Sequence, residues 1–265
     1  MNQGPTVSLS EQPNGGGQNS GDLLSAMPVD IIGVVVSFLE ITDAIRLAAT
    51  CKNMRRRVLA APKVLVHPDY RTNLLFDIIK YNFNHQWIRK VVRGGAWVDA
   101  RDGRNMTPLY VSVWYGNDLF VYELIAAGAD VNCRSSHGKL PLILASYHRH
   151  DSCLRHLIAA GARLDEVDDA GDTALLVAII KNYEYGVYEL AAAGANVNLF
   201  IPEMLRPTSL LQAAYYGHDS LLRILIAFGA DVNVVNYKRE TALMIAKQQN
   251  HHSCVEILRA AGAQK

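Results

Sequence analysis

The amino-acid sequence predicts an all-α chain: a small helical module near the N-terminus, then a solenoid of stacked helical hairpins joined by hairpin-like loops. Three observations carry that expectation. A Gly-Ala pair recurs at Gly128-Ala129, Gly161-Ala162, Gly194-Ala195, Gly229-Ala230 and Gly262-Ala263, in steps of 33, 33, 35 and 33 residues. A second column, Thr107, Leu140, Thr173, Thr208 and Thr241, moves by the same steps. Between the two columns, apolar residues return at fixed helical positions. A constant period of this size marks stacked repeats rather than one closed core.

Each part of the period has a physical reading. Thr107 can cap a helix whose first position is Pro108, where a missing N–H costs nothing. The buried face of that helix begins with Leu109 and Ser112, matched by Leu142 and Ala145, Leu175 and Ala178, Leu210 and Ala213, and Leu243 and Ala246. A small residue at the second of these positions lets neighbouring helices approach. Gly116 turns the chain into a second helix carrying Leu124, matched by Leu157, Leu190, Leu225 and Leu258. Gly128 ends that helix, where a left-handed residue is wanted. Asp130-Val131-Asn132 leads into an extended, turn-rich link.

The thirty-three-residue length, with the wording Thr-Pro-Leu-Tyr to Gly-Ala-Asp-Val-Asn, resembles the ankyrin repeat over residues 99–265. Departures from the pattern sharpen the expectations. Leu140 in place of Thr predicts a weaker helix start, by about 1 kcal/mol. The inter-helix turn position reads Gly116, Arg149, Asn182, Gly217 and Asn250; Asn tolerates a left-handed turn better than Arg does. The two extra residues fall in Leu199–Arg206 and enlarge one loop. Arg259 stands where earlier repeats carry Ile125, Ile158, Ala191 and Ile226, as suits the exposed face of a terminal repeat.

Residues 1–22 are rich in Gly, Asn, Gln, Ser and Pro and read as a disordered tail without a signal peptide. Gly15-Gly16-Gly17 lacks the lysine of a phosphate loop and reads as a spacer. Residues 23–58 change character: Met27-Pro28-Val29-Asp30 starts a helix, and Ile31, Ile32, Val34, Val35, Phe38 and Leu39 follow. That run is far shorter than the roughly 20 residues a membrane span needs. Pattern alone is also met by a helical cap sealing the repeats. The order Met27-Pro28, Asp30, Ile31, Val34-Val35, Phe38-Leu39, Asp43, Arg46-Leu47, Thr50-Cys51-Lys52 and Met54 resembles the F-box, with Met27 for the usual Leu and Met54 for the common Trp. The resemblance implies a trihelical module docking on the Skp-type adaptor of a Skp–cullin–F-box ubiquitin ligase. Met27, Pro28, Ile31, Ile32, Val35, Phe38 and Leu39 would then contribute adaptor-binding surface.

Residues 59–72 form a Pro-punctuated connector. Subtracting one period from the first clear repeat predicts a degenerate one over residues 66–98, overlapping that connector, with Gly95-Ala96, Val91 and Phe76 on the Gly-Ala, Leu124 and Leu109 positions. Such a repeat would join the F-box to the stack rigidly.

Composition narrows function further. A formal net charge of +1 offers no bulk electrostatic case for nucleic acid or an anionic membrane. Cys51, Cys133, Cys153 and Cys254 show no paired spacing and read as reduced thiols in a cytoplasmic or nuclear protein. His148, His150, Cys153 and His156 are close in sequence but fall on different parts of the helical register, so they are not expected to form the tight tetrahedron zinc needs. No nucleophile elbow, phosphate loop or dinucleotide fingerprint is present, so no catalytic residue, metal or cofactor is expected.

Two functions fit. One is a non-catalytic substrate receptor of a ubiquitin ligase, with adaptor and cullin on the F-box and an unknown target on the repeats. The other is an ankyrin interaction scaffold with an N-terminal helical cap and no ubiquitin role. Either way a target surface is needed. The positions seven and eight residues after Thr107 hold Trp114 and Tyr115, then Tyr147 and His148, Ile180 and Lys181, Tyr215 and Tyr216, Gln248 and Gln249. The ankyrin resemblance places them beside a concave groove. Trp114, Tyr115, Tyr147, His148, Lys181, Tyr215 and Tyr216 are therefore the expected target-binding residues, helped by Arg101, Arg104, His137, Phe200 and Tyr237 on the loops.

Overall fold

The computed structural model describes residues 75–76, 78–80, 82, 85–93, 96–200 and 207–264. The tail, the F-box residues 23–58 with all seven expected adaptor contacts, the connector and residues 201–206 lie outside the described residues. Contacts divide the chain at Leu65/Val66; all the described residues belong to the unit beginning at Val66.

Helix α1 spans Gln86–Arg93. Five helical hairpins come after it. They are α2 (Pro108–Trp114) with α3 (Asp118–Ala126), α4 (Pro141–His148) with α5 (Asp151–Ala159), α6 (Ala174–Ile180) with α7 (Glu184–Ala192), α8 (Ser209–Tyr216) with α9 (Asp219–Ala227), and α10 (Ala242–Gln248) with α11 (His252–Ala260). Helices of two turns are marginal alone in water, so packing decides their existence. The even-numbered helices α2 to α10 pack successively in one row. The odd-numbered helices α1 to α11 form a second.

The core sits between the rows and is the periodic set. Leu109, Leu142, Leu175, Leu210 and Leu243, the small column Ser112, Ala145, Ala178, Ala213 and Ala246, and the column Leu124, Leu157, Leu190, Leu225 and Leu258 are all buried. Each large apolar side chain so buried contributes roughly 1.5–3 kcal/mol, repeated at every step of the stack. Arg259, on the last helix, is exposed.

Ahead of the first hairpin, Val91 and Ala96 are buried on the expected positions. Phe76 is only half-buried, whereas Leu75, Ile78 and Ile79 are fully enclosed. The buried stripe there follows the i, i+3, i+4 helical pattern from Leu75, which leaves Phe76 one residue off it. Arg89 on α1 pairs with the buried carboxylate of Glu123 on α3.

Four of the loops that precede the hairpins are closed. Their necks are backbone bonds from Asp102 to Met106, Ser135 to Lys139, Asp168 to Asp172 and Asn236 to Glu240, at 3.0, 3.0, 3.1 and 3.1 Å. Among the described residues no strand forms; one isolated antiparallel bridge joins Val235 and Thr241. A polar ladder runs along the stack beside these loops. The side chains of Asp99, Asn132, Asp165, Asn198 and Asn233 accept from the backbone N–H of Asp130, Arg163, Asn196, Asp231 and Gln264, each at 2.8–2.9 Å.

Capping follows the sequence at three hairpins and departs from it at one. The hydroxyls of Thr107, Thr173 and Thr241 accept from the N–H of Tyr110, Leu176 and Met244 at 3.2, 3.1 and 3.3 Å. Leu140 supplies no cap. Thr208 also makes none, and its buried hydroxyl has no hydrogen-bond partner among the described residues. Its φ of −65° differs from the −83° to −86° of the three capping threonines, and it lies just past the enlarged loop. Thr173→Ala is therefore expected to cost about 1 kcal/mol, and Thr208→Ala to be nearly neutral, in urea unfolding of the two variants.

Candidate functional site

The row of even-numbered helices ends in the residues that the sequence marks for target binding. Each of these helices stops at a left-handed residue one or two positions later: Gly116, Arg149, Asn182, Gly217 and Asn250 all have positive φ. At Arg149 (φ 58°, ψ 44°) the strain of a side chain in this region is accompanied by a hydrogen bond from its guanidinium to the Lys181 carbonyl. These turns present the last helical side chains outward. Trp114, Tyr147 and Tyr215 are 43%, 45% and 50% exposed, and Tyr115 and Tyr216 are exposed beside them.

The rings interlock between neighbours. Trp114 meets the His148 ring edge-on at 5.3 Å, and Tyr147 meets it at 5.1 Å. The Lys181 ammonium lies 3.8 Å from the Tyr147 ring centroid and the Lys139 ammonium 5.5 Å from it. Tyr215 packs on Tyr216, which stacks on His218. Burial holds the imidazoles of His148, His150 and His218 below their ordinary pKa, with neighbouring cationic groups adding to the effect at His148. They are neutral polar walls near pH 7.

A cleft of about 420 Å³ opens farther along this row, lined by Phe200, Tyr215, Tyr237, Gln212, Gln248 and Gln249 among others. It gathers three expected target residues, Phe200, Tyr215 and Tyr237, around amide side chains that can donate and accept. Glu240 at its rim is held below the usual carboxylate range by hydrogen bonds from Asn236 and Gln248. Arg104 and His137 are exposed at the loop tips. Arg101 has a structural tie: its guanidinium donates to the carbonyls of Asn105 and Arg134 at 3.0 and 2.7 Å, bridging two loops. Arg134 repeats that bridge to Gly138 and Val167.

Two features of the site lie outside the helical columns of the sequence. Lys139 joins the aromatic cluster from the loop before α4, a position that helix columns do not cover. His150 and His251 lie over the glycine turns of the preceding hairpins. A Cβ placed on Gly116 would come within 2.6 Å of the His150 ring, and one on Gly217 within 2.7 Å of His251. The His251 Nε2 is 3.1 Å from the Tyr215 carbonyl, so the imidazole ties the end of one hairpin's first helix to the next hairpin.

The remaining histidine–cysteine group is spread over the end of α4, the turn and α5. His148 and His150 stack on each other, His156 packs on Tyr122, and the Cys153 thiol is buried. Among the described residues no group of three or more His, Cys, Asp or Glu is placed to hold a metal ion. Burial pushes the Cys133, Cys153 and Cys254 thiols up to about 11, 12 and 12, and an acceptor at Asp219 reinforces the effect at Cys254. The reactive species is the thiolate. The folded chain should therefore titrate at most one of its four thiols with a disulfide reagent at pH 8, and all four in denaturant.

No helix among the described residues is long and apolar enough to cross a membrane. The family model for ankyrin repeats (3 copies) matches residues 109–201 and 203–265, and the F-box domain model matches residues 24–61. No match is found among curated proteins. Among solved structures, the chain resembles an ankyrin repeat domain from Acinetobacter baumannii AYE, with 29% identity over 72% of this chain and 98% of that one and a TM-score of 0.67. It also resembles the ankyrin repeat domain of Bcl-3, a member of the IkappaB protein family (27% identity, 72% and 86% covered, TM-score 0.66). A third likeness is to a chain in the complex of the predatory endopeptidase Bd0816 from Bdellovibrio bacteriovorus with immunity protein Bd3460 (25% identity, 70% and 96% covered, TM-score 0.61). F-box and ankyrin families are typically non-catalytic adaptors or scaffolds; F-box domains commonly bind a Skp-type adaptor, and ankyrin repeats bind target proteins. An F-box domain thus precedes a stack whose exposed rings suit a protein-interaction role, and the chain, matched over more than half its length, belongs to the ankyrin repeat family.

Proposed function

We propose that this protein is the substrate-recognition subunit of a Skp–cullin–F-box ubiquitin ligase, its F-box docking on the Skp-type adaptor and its repeats holding the protein to be ubiquitinated. The observation that carries the reading is the joining, in one chain, of an F-box match at residues 24–61 to a repeat stack with exposed, pre-packed aromatic residues. The receptor makes no bonds itself. It holds target lysines near a ubiquitin-charged enzyme, and that proximity accelerates transfer. Trp114, Tyr115, Tyr147, His148, Lys181, Tyr215 and Tyr216, with the loop residues Arg101, Arg104, His137, Phe200 and Tyr237, are the proposed target face.

Affinity capture with the intact chain should bring down adaptor, cullin and target together. The double variant Pro28→Ala/Ile31→Ala should lose at least about tenfold in adaptor capture, since apolar anchors concentrate interface energy, and should keep its target. Removal of residues 1–58 should eliminate both ligase subunits and leave target binding in place. Undiminished adaptor capture by the folded double variant would refute the F-box assignment, and absence of adaptor and cullin from the intact complex would refute the ligase role.

A further inference from the structure

Several of the cationic groups along the loops and turns are already engaged. Arg134 and Arg163 both pair with Glu166, whose carboxyl they hold below the usual range. Arg89 pairs with Glu123, Arg101 is bound by two carbonyls, and Arg149 by the Lys181 carbonyl. Lys139 and Lys181 differ. Their ammoniums lie 5.5 and 3.8 Å from the centroid of one ring, Tyr147, and among the described residues neither has a carboxylate within ion-pair distance. On the next loop the Asp169 carboxylate lies against Gly138, outside ion-pair distance of either ammonium, and Asp172 has interactions of its own.

Two like charges gathered around one aromatic ring repel each other. The ring's negative face offsets part of that repulsion, but it supplies no neutralising charge. The wall beside them adds none: the His148 ring packs on Tyr147, its Nε2 is buried with no hydrogen-bond partner among the described residues, and Trp114 closes its other side. With a net charge of only +1 on the whole chain, this is a local field rather than a general basic surface. A bound anion would relieve the repulsion and accept from both ammoniums, each with three donors.

Resting on the target-binding reading above, we infer that Lys139, Tyr147 and Lys181 form an anion subsite that takes a glutamate or aspartate side chain from an acidic segment of the target. A carboxylate suits two separate point charges. The neighbouring guanidinium, that of Arg149, is engaged by the Lys181 carbonyl, so the rigid bidentate fork that favours phosphate groups is not presented here.

The test uses the full chain and three fluorescein-labelled hexapeptides: all-glutamate, all-glutamine, and a glutamine peptide bearing one phosphoserine. Binding is followed by anisotropy at low salt and again at high salt, where screening weakens exposed pairs. The all-glutamate peptide should bind, the all-glutamine peptide should not, and Lys139→Gln/Lys181→Gln should weaken all-glutamate binding by about tenfold. A second double variant, Lys247→Gln/Arg259→Gln, removes the same charge elsewhere and should leave it unchanged. The inference is overturned by an unbound all-glutamate peptide, by equal losses in the two double variants, or by binding of the phosphopeptide alone. Those failures concern the subsite only; the groove itself fails if Trp114→Ala/Tyr147→Ala/Tyr215→Ala retains full target affinity.

Discussion

Replacing Trp114, Tyr147 and Tyr215 together by alanine is expected to reduce target capture by at least about a hundredfold while leaving adaptor capture intact. Buried aromatic anchors commonly cost ~2 kcal/mol or more each when truncated, and rings already held by neighbours lose little further freedom on binding. All three are so held. Trp114 lies against His148, Tyr147 under Lys181, and Tyr215 against Tyr216 at the mouth of the cleft. The fold should tolerate the change, because the buried columns of Leu, Ala and Ser do not include these positions. Circular dichroism establishes that the triple variant is folded, and titration of the captured target measures the loss. Full affinity in a folded triple variant would move the target site elsewhere, with the Leu199–Arg206 loop the next region to test.

Gly217→Ala should destabilise the C-terminal end of the stack by about 2–3 kcal/mol. Two costs add. Gly217 has a φ of 72°, where an L side chain costs roughly 1–2 kcal/mol. The new methyl would also meet the His251 ring at 2.7 Å and displace it from the Tyr215 carbonyl, forfeiting a hydrogen bond of ~1 kcal/mol. Gly229 is the natural comparison: its φ is 85°, but a Cβ there meets nothing within 4 Å. Gly229→Ala should show the backbone cost alone. Combining Gly217→Ala with His251→Ala should cost less than the sum of the two single changes, because they share one contact. Urea unfolding of the four variants decides the matter, and additive behaviour would refute the coupling. In a stack where each repeat touches only its neighbours, the weakness should appear first as fraying of α10 and α11.

Sequence patterning reaches the fold because each repeat writes the same physics again. The buried columns, the left-handed turns and the small residues between helices occupy equivalent positions, and one period predicts the rest. It fails where a residue's role depends on something outside its column. Thr208 matches three capping threonines, yet its own backbone differs from theirs and its hydroxyl makes no cap. Phe76 falls on the Leu109 position by counting, while the local buried stripe runs through Leu75 instead. His150 and His251 look like surface histidines when each is placed on its own helix alone. Their meaning lies across the gap, since each faces a glycine of the previous hairpin, and the signal is a histidine one position past the place where the preceding repeat has glycine. The exposed ring columns are visible from the leftover positions of the helical pattern. Lys139 is not, because it enters from a loop.

The ladder of Asp99, Asn132, Asp165, Asn198 and Asn233 treats every hairpin alike: across each one, a backbone N–H on its far side donates to the ladder side chain on its near side. By that device alone the units would be interchangeable, and a misfolding chain could skip one and close up again. The histidine–glycine contacts are absent from the middle of the series; there Tyr183 takes the histidine position and donates its hydroxyl to Asp151 at 2.6 Å. A chain that skipped the hairpin of α4 and α5 would set Tyr183 against Gly116, where His150 belongs, while Asp118 would stand in the place of Asp151. The ring at each turn therefore differs between neighbouring hairpins, giving a repetitive polymer local marks of its order.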